Sequence, residues 1–269
     1  MNDGKSGERI WDRFLTERDK AVFKASGFGA KGGFGKRPAL LVIDVSWAFA
    51  GDKPDEPILE SIKRWSNSCG SESWDAIARI KELSAAFRQQ KLPVIYTTGV
   101  TRPDGWDMGS WSWKNSRMGE SVPRPTQNLD GNEIVSEIAP QPQDIVILKQ
   151  KPSGFFGTNM SAYLTLLGAD SVIVTGTTTS GCVRATVIDA FSQNFRVAIA
   201  EDGCFDRSQA SHAINLCDMH AKYADVMMTS EIIQHIKTLP TDLFPNLPQG
   251  VPAHAPVTGA PGLRLVSSA

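Results

Sequence analysis

Five stretches of this chain concentrate aliphatic residues without interruption, at residues 39–43, 93–97, 144–148, 171–175 and 196–200, and a weaker copy follows at 225–228. The runs are continuous instead of alternating, which is how a strand buried on both faces of a parallel sheet reads. Between them the period changes. Residues 73–90 space Ile77, Ile80, Leu83, Ala86 and Phe87 at intervals of three and four, and 157–167 and 182–191 also suit helices. Strands alternating with helices imply βαβ units. The pattern therefore predicts one α/β domain of three layers, with a parallel sheet of about six strands covered by helices on both faces.

The flanks break this pattern. Residues 1–36 are polar and then glycine-rich through 27–35, and read as an N-terminal arm leading into a domain at 37–239. In the last stretch, 240–269, Pro240, Pro245, Pro248, Pro252, Pro256 and Pro261 exclude continued helix or strand. Such a tail is either disordered or laid against another surface, and disorder is the expectation for a terminal segment.

Composition narrows the function classes. The 269 residues are 41% hydrophobic and 21% charged, enough to bury one substantial core, and the formal net charge is -1. No stretch interleaves Lys or Arg with aromatics, so a nucleic-acid partner is not expected; small molecules or copies of the same chain are. Four cysteines, at 69, 182, 204 and 217, are too sparse for a disulfide framework. The start of the chain lacks an apolar signal core and no run is long enough to span a bilayer, which leads to the expectation of a cytoplasmic protein without membrane contact.

In open parallel sheets, ligands bind beyond the carboxyl ends of the strands, so the residues just after each run are the ones to inspect. Asp44 follows the first run, Lys149 the third, and Cys182 follows the fourth through a short loop at 176–181. Singly, these read as a helix cap, a solvated charge and a small buried apolar group. Jointly they supply what a nucleophilic thiol needs, a base and a positive field. Cys182 also falls where a helix should begin, so the sequence predicts a thiol pKa lowered by the helix dipole as well as by the ammonium. The small residues Thr177, Thr178, Thr179, Ser180 and Gly181 let backbone amides approach a carbonyl oxygen, the arrangement of an oxyanion hole.

At this point the chain resembles the isochorismatase-like cysteine hydrolase family, and within it the N-carbamoylsarcosine amidase branch. The residues that carry the resemblance are RPALLVID ending at Asp44, VIYTTGV with DMGSW at 107–111, VILKQKPSGFFGTN containing Lys149, VTGTTTSGCVRAT containing Cys182, and NLCDMHAKYADV at 215–226. The resemblance implies a Rossmann-like six-stranded sheet and joint action of Asp44, Lys149 and Cys182. It also implies a cis peptide between Thr177 and Thr178, whose Thr178 amide joins that of Cys182 in holding the oxyanion. The implied activity is hydrolysis of a small amide or N-carbamoyl C–N bond through a cysteine thioester, with release of ammonia and no cofactor, in a homotetramer.

Matched without gaps, this chain has Glu201 where that branch carries an arginine for the substrate carboxylate. Either Arg207 substitutes from six residues further on, or the substrate is uncharged, such as a biuret-like amide. Trp47, Trp111 and Phe155 are further candidates for lining the pocket, while Trp106 and Trp113 share the same aromatic loop as Trp111. The glycine run at 27–35 precedes the first strand, so it is not a dinucleotide fingerprint. Cys204, His212, Cys217 and His220 have irregular spacing for zinc, and the segment 98–113 contains no histidine, so no metal is expected. The competing reading is a catalytically silent domain used for oligomerisation or binding.

Overall fold

In the computed structural model, which describes residues 9–114 and 129–249, strand β1 (Pro38–Ile43) is buried along its whole length. It runs parallel to β2 (Val94–Gly99) on one side and β4 (Ser171–Thr177) on the other. β3 (Ile145–Lys149), β5 (Arg196–Phe205) and β6 (Asp225–Met227) complete a six-stranded sheet in the order β3-β2-β1-β4-β5-β6. Every recorded pairing in it is parallel. Burial of Leu40, Leu41, Val42 and Ile43 at 0% exposure explains the uninterrupted aliphatic run, since both faces are covered. Each such side chain contributes about 1.5–3 kcal/mol relative to exposure.

The described helices are α1 (Glu17–Ser26), α2 (Trp47–Ala50), α3 (Ile58–Ser61), α4 (Glu72–Gln89), α5 (Ser110–Lys114), α6 (Met160–Leu167), α7 (Arg184–Ser192), α8 (Gln209–Lys222) and α9 (Thr229–Ile236). α4 and α9 pack together against β5 on one face of the sheet, and α7 and α8 pack together against β5 and β6 on the other. α4 buries Ala76, Ile77, Ile80, Leu83, Ala86 and Phe87, the stripe its spacing predicts, and Glu72 and Asp75 in its first turn complement the helix dipole. None of the helices among the described residues is long and apolar enough to cross a membrane.

Chain direction across the sheet reverses between β1 and β4, which opens a crevice at their carboxyl ends. Gly176 sits at this seam with φ +102, and a Cβ there would collide with the backbone of Ile43. Glycine is required both for the dihedral and for the close approach of the two strands. β5 departs from regular pairing here: Val174 pairs with Ile199 but Gly176 with Cys204, so β5 carries three extra residues opposite β4. The strand therefore continues to Phe205 instead of ending at residue 200.

Both flanks are held down where they are described. Trp11 is buried, and the Gly32 and Gly33 amides donate to the Asp225 carboxylate at 3.0 and 2.7 Å. The Lys36 and Arg37 amides donate to Asp170 at 2.9 and 2.8 Å. The glycine run and the two residues after it are thus fastened across β6 and the start of β4, because their amides find carboxylates. In the proline-rich segment, Phe244 is buried under the Arg37 guanidinium, 4.6 Å from the ring centre. Residues 250–269, most of the expected disordered tail, lie outside the described residues.

Candidate active site

Asp44 immediately follows β1, Lys149 ends β3, and Cys182 lies in the turn Thr179–Val183 between β4 and α7. The structure brings all three into one cavity of about 290 Å3 at the crevice. Lys149 Nζ is 2.7 Å from Asp44 Oδ2, 3.6 Å from Cys182 Sγ and 3.0 Å from the Lys151 carbonyl oxygen. Asp44 and Cys182 thus share Lys149 as a neighbour and line the same cavity. The other oxygen of Asp44 accepts from Thr97 Oγ1 at 2.7 Å, a β2 residue whose carbonyl also accepts the Asp44 amide at 3.1 Å. Asp44 has φ +53, a left-handed conformation that costs a non-glycine residue about 1–2 kcal/mol. These bonds, with a further one from the Asp44 amide to Thr97 Oγ1 at 3.2 Å, hold it there.

Electrostatics in the cavity differ from the expectation that neighbouring charge and a helix start lower the thiol pKa. Burial and the adjacent Asp44 carboxylate push Cys182 up to about 12, outweighing the opposing effect of Lys149. For Lys149 burial disfavours the charge, but Asp44 and Cys182 outweigh it and hold the ammonium above the usual lysine range. The resting arrangement is a neutral thiol beside an ion pair. Such a thiol has to lose its proton to a base during attack instead of standing ready as a thiolate.

The turn around the thiol is closely fixed. The peptide between Thr177 and Thr178 is cis. The Gly181 and Val183 amides both donate to the Thr178 carbonyl, at 2.8 and 3.2 Å. A Cβ on Gly181 would come within 2.6 Å of Thr178 Oγ1, so a side chain there would displace that hydroxyl. Thr186 Oγ1 donates to the Cys182 carbonyl at 2.7 Å and accepts from the Gly154 amide at 2.9 Å, joining the turn to the segment after Lys149.

Of the residues expected to contact substrate, Trp111 and Arg207 line the cavity and three do not. Trp47 stands away from it, packed 6.3 Å from Trp74. Phe155 is buried in the core, 6.2 Å from Phe195. Glu201 lies in the extra residues of β5 and pairs with Arg9 at 2.8 Å, away from the cavity. β5 instead runs on to Phe205, and Arg207, two residues beyond its end, reaches the cavity wall. Arg207 Nη1 donates to the Asn67 carbonyl at 2.9 Å, and among the described residues no carboxylate pairs with its guanidinium.

Sequence reasoning missed Asp107, Met108, Asn132 and Lys151 in the wall and Thr97 beneath Asp44. The loop bearing Trp111 is stitched to the strand end that carries Lys149: Gln150 Nε2 bonds Asp107, Trp111 Nε1 donates to the Gln150 carbonyl at 3.3 Å, and Lys151 Nζ to the Met108 carbonyl at 3.3 Å. Thr97 and Asp107 both lay inside motifs already noted, but nothing in their spacing revealed these contacts. Trp106 and Trp113 are 80% and 78% exposed, beside the cavity but outside its wall. Among the described residues no three His, Cys, Asp or Glu side chains converge as a metal site. His212 instead bonds Thr179 at 2.8 Å, and the His220 ring receives the Val226 amide at 3.2 Å.

Comparison with known proteins adds three findings. The family model described as the isochorismatase domain matches residues 38–231. Among curated proteins, N-carbamoylsarcosine amidase of an Arthrobacter species is 33% identical over 233 residues, covering 83% of this chain and 80% of the relative. Maleamate amidohydrolase of Pseudomonas putida is 30% identical over 219 residues, covering 79% of this chain and 92% of the relative. Among solved structures, a cysteine hydrolase from Pseudomonas syringae pv. phaseolicola superposes with a TM-score of 0.66 at 22% identity, covering 75% of this chain and 93% of that one. N-carbamoylsarcosine amidase from Thermoplasma acidophilum gives 0.55 at 26% identity, with 72% and 96% covered.

Proposed function

Because this chain belongs to the isochorismatase family, we propose that it is an amidohydrolase that cleaves a small N-carbamoyl or amide substrate through a thioester on Cys182 and releases ammonia. The observation that carries this reading is the meeting of Asp44, Lys149 and Cys182 within one cavity. Asp44 takes the thiol proton as sulfur attacks the amide carbon, and Lys149 balances the negative charge then shared between carboxylate and sulfur. The oxyanion forms at the amides of Thr178 and Cys182, where one donor is worth about 3 kcal/mol. Asp44 returns the proton to the departing nitrogen. Water then attacks the thioester with Asp44 again as base, and the thiol recovers its proton as the acid product leaves.

Arg207 supports a substrate with an acidic end. Among the described residues neither its guanidinium nor the Lys151 ammonium, which lines the same cavity, has a carboxylate partner. An N-carbamoyl amino acid or the half-amide of a small diacid has this shape: one amide for the thiol and one carboxylate for Arg207. Two amidohydrolase relatives are named for compounds of these two kinds.

The test is ammonia release from N-carbamoylsarcosine, maleamate, biuret and nicotinamide by the wild-type chain and by Cys182→Ala. The expected result is turnover of one of the carboxylate-bearing compounds and a loss of at least about 10^4-fold in kcat in the variant, with unchanged folding. Ordinary activity in Cys182→Ala sinks the mechanism. Preference for biuret or nicotinamide sinks the role of Arg207. No turnover, together with a Cys182 that resists thiol reagents in the native protein, favours a silent binding module.

A further inference from the structure

Asp206 is the residue between the end of β5 and Arg207, and each of its carboxylate oxygens is committed to a different part of the site. Oδ2 accepts from both the Ser180 amide, at 2.8 Å, and the Ser180 hydroxyl, at 2.6 Å. Oδ1 accepts the Arg207 amide at 2.7 Å. One rigid carboxylate thereby links the turn that carries Cys182, two residues beyond Ser180, to the backbone of the residue that presents the guanidinium. The other attachments of the turn do not involve Arg207: Thr179 Oγ1 bonds the Phe205 carbonyl at 3.2 Å and His212 Nδ1 at 2.8 Å, and Thr186 ties the Cys182 carbonyl to Gly154. At its far end the guanidinium is braced by the Asn67 carbonyl.

We propose that Asp206 is a positioning residue that sets the spacing between the Cys182 sulfur and the Arg207 guanidinium, and so selects substrates by the distance between their amide carbon and their acidic group. The proposal rests on the reading of Cys182 as nucleophile and Arg207 as carboxylate partner. Its physical basis is that a charged acceptor holding three donors fixes both segments at once, whereas a neutral amide at the same position cannot. The side chain introduced by Asp206→Asn offers one acceptor oxygen and a pair of N–H donors; the Ser180 hydroxyl can turn to accept, but either the Ser180 amide or the Arg207 amide loses its acceptor.

The spacing is readable without knowing the natural substrate. Iodoacetate and iodoacetamide alkylate a thiol by the same displacement of iodide and differ only in carrying a carboxylate or a neutral amide. The ratio of their second-order rate constants at Cys182, located by peptide mass spectrometry in the full-length chain, reports how well the guanidinium is placed relative to the sulfur. A purely structural role would slow both reagents or lower the melting temperature and leave the ratio alone.

Arg207→Met is expected to lower the iodoacetate to iodoacetamide ratio about tenfold, and Asp206→Asn to lower it nearly as far with the guanidinium still present. Ser180→Ala, which removes one of the two Ser180 bonds, is expected to lower it about threefold. A wild-type ratio in Asp206→Asn beside a reduced ratio in Arg207→Met overturns the positioning role and leaves the carboxylate role of Arg207 standing. A wild-type ratio in Arg207→Met overturns both. Should Asp206→Asn not fold, a wild-type ratio in Ser180→Ala overturns the proposal in its place.

Discussion

The two ends of β3 each hold a buried carboxylate and cation, yet only one end has chemistry left to do. At the amino end Asp144 accepts from Arg88 Nη2 at 2.6 Å and Nε at 3.2 Å, and from the Gln141 amide at 2.7 Å. Arg88 spends a further N–H on the Tyr96 hydroxyl at 2.8 Å. At the carboxyl end Lys149 and Asp44 meet at 2.7 Å, but the lysine also faces a thiol and both line an open cavity. Burial and ion pairing are common to both ends. What separates them is saturation: the first carboxylate is fully occupied by planar donors, while the second is shared with a group that can give up a proton.

That contrast makes quantitative claims. Lys149→Met, the larger of the two effects at the ends of β3, removes the charge beside Asp44 and the sulfur, and should lower kcat by about 10^2–10^3-fold in steady-state assays. Asp144→Asn acts on the saturated end. It should cost about 3 kcal/mol of stability in urea melts, because the Arg88 guanidinium stays buried with weakened partners, while kcat per folded molecule stays at the wild-type value. If Asp144→Asn instead lowered kcat like Lys149→Met, the distinction between the two ends would be lost.

The smallest expected effect tests a third pair. Burial raises Glu201 above its ordinary 4.5, with Arg9 opposing the shift. Its favourable contribution is therefore complete below the unfolded-state value and is lost as pH rises from there through the folded-state value. Glu201→Gln should flatten that fall in pH-dependent melts by no more than about 1 kcal/mol and leave turnover unchanged, since the pair is partly exposed through Arg9.

The aliphatic runs made the six strands legible because strands covered on both faces cannot alternate, and the strand ends then located Asp44, Lys149 and Cys182. The rest of the site was hidden for identifiable reasons. Glu201 was mistaken for a rim residue because an excursion inside β5 leaves no mark on its hydrophobic pattern. Trp47 and Phe155 have the composition of pocket residues, but a large aromatic is equally at home in a core. The sign of the thiol shift depends on depth and on the side of the sulfur that Asp44 approaches, neither of which is a property of sequence. Fastening of the glycine run depends on Asp170 and Asp225, more than a hundred residues away.

Gly176 lies outside the cavity wall but fixes the seam between β1 and β4. With no room for even a methyl group against Ile43, the strand that leads to Asp44 and the strand that leads to Cys182 are held at backbone contact. Changes in substrate range therefore fall to the parts of the wall held by replaceable hydrogen bonds: Arg207 behind Asp206, and the loop that carries Asp107, Met108 and Trp111.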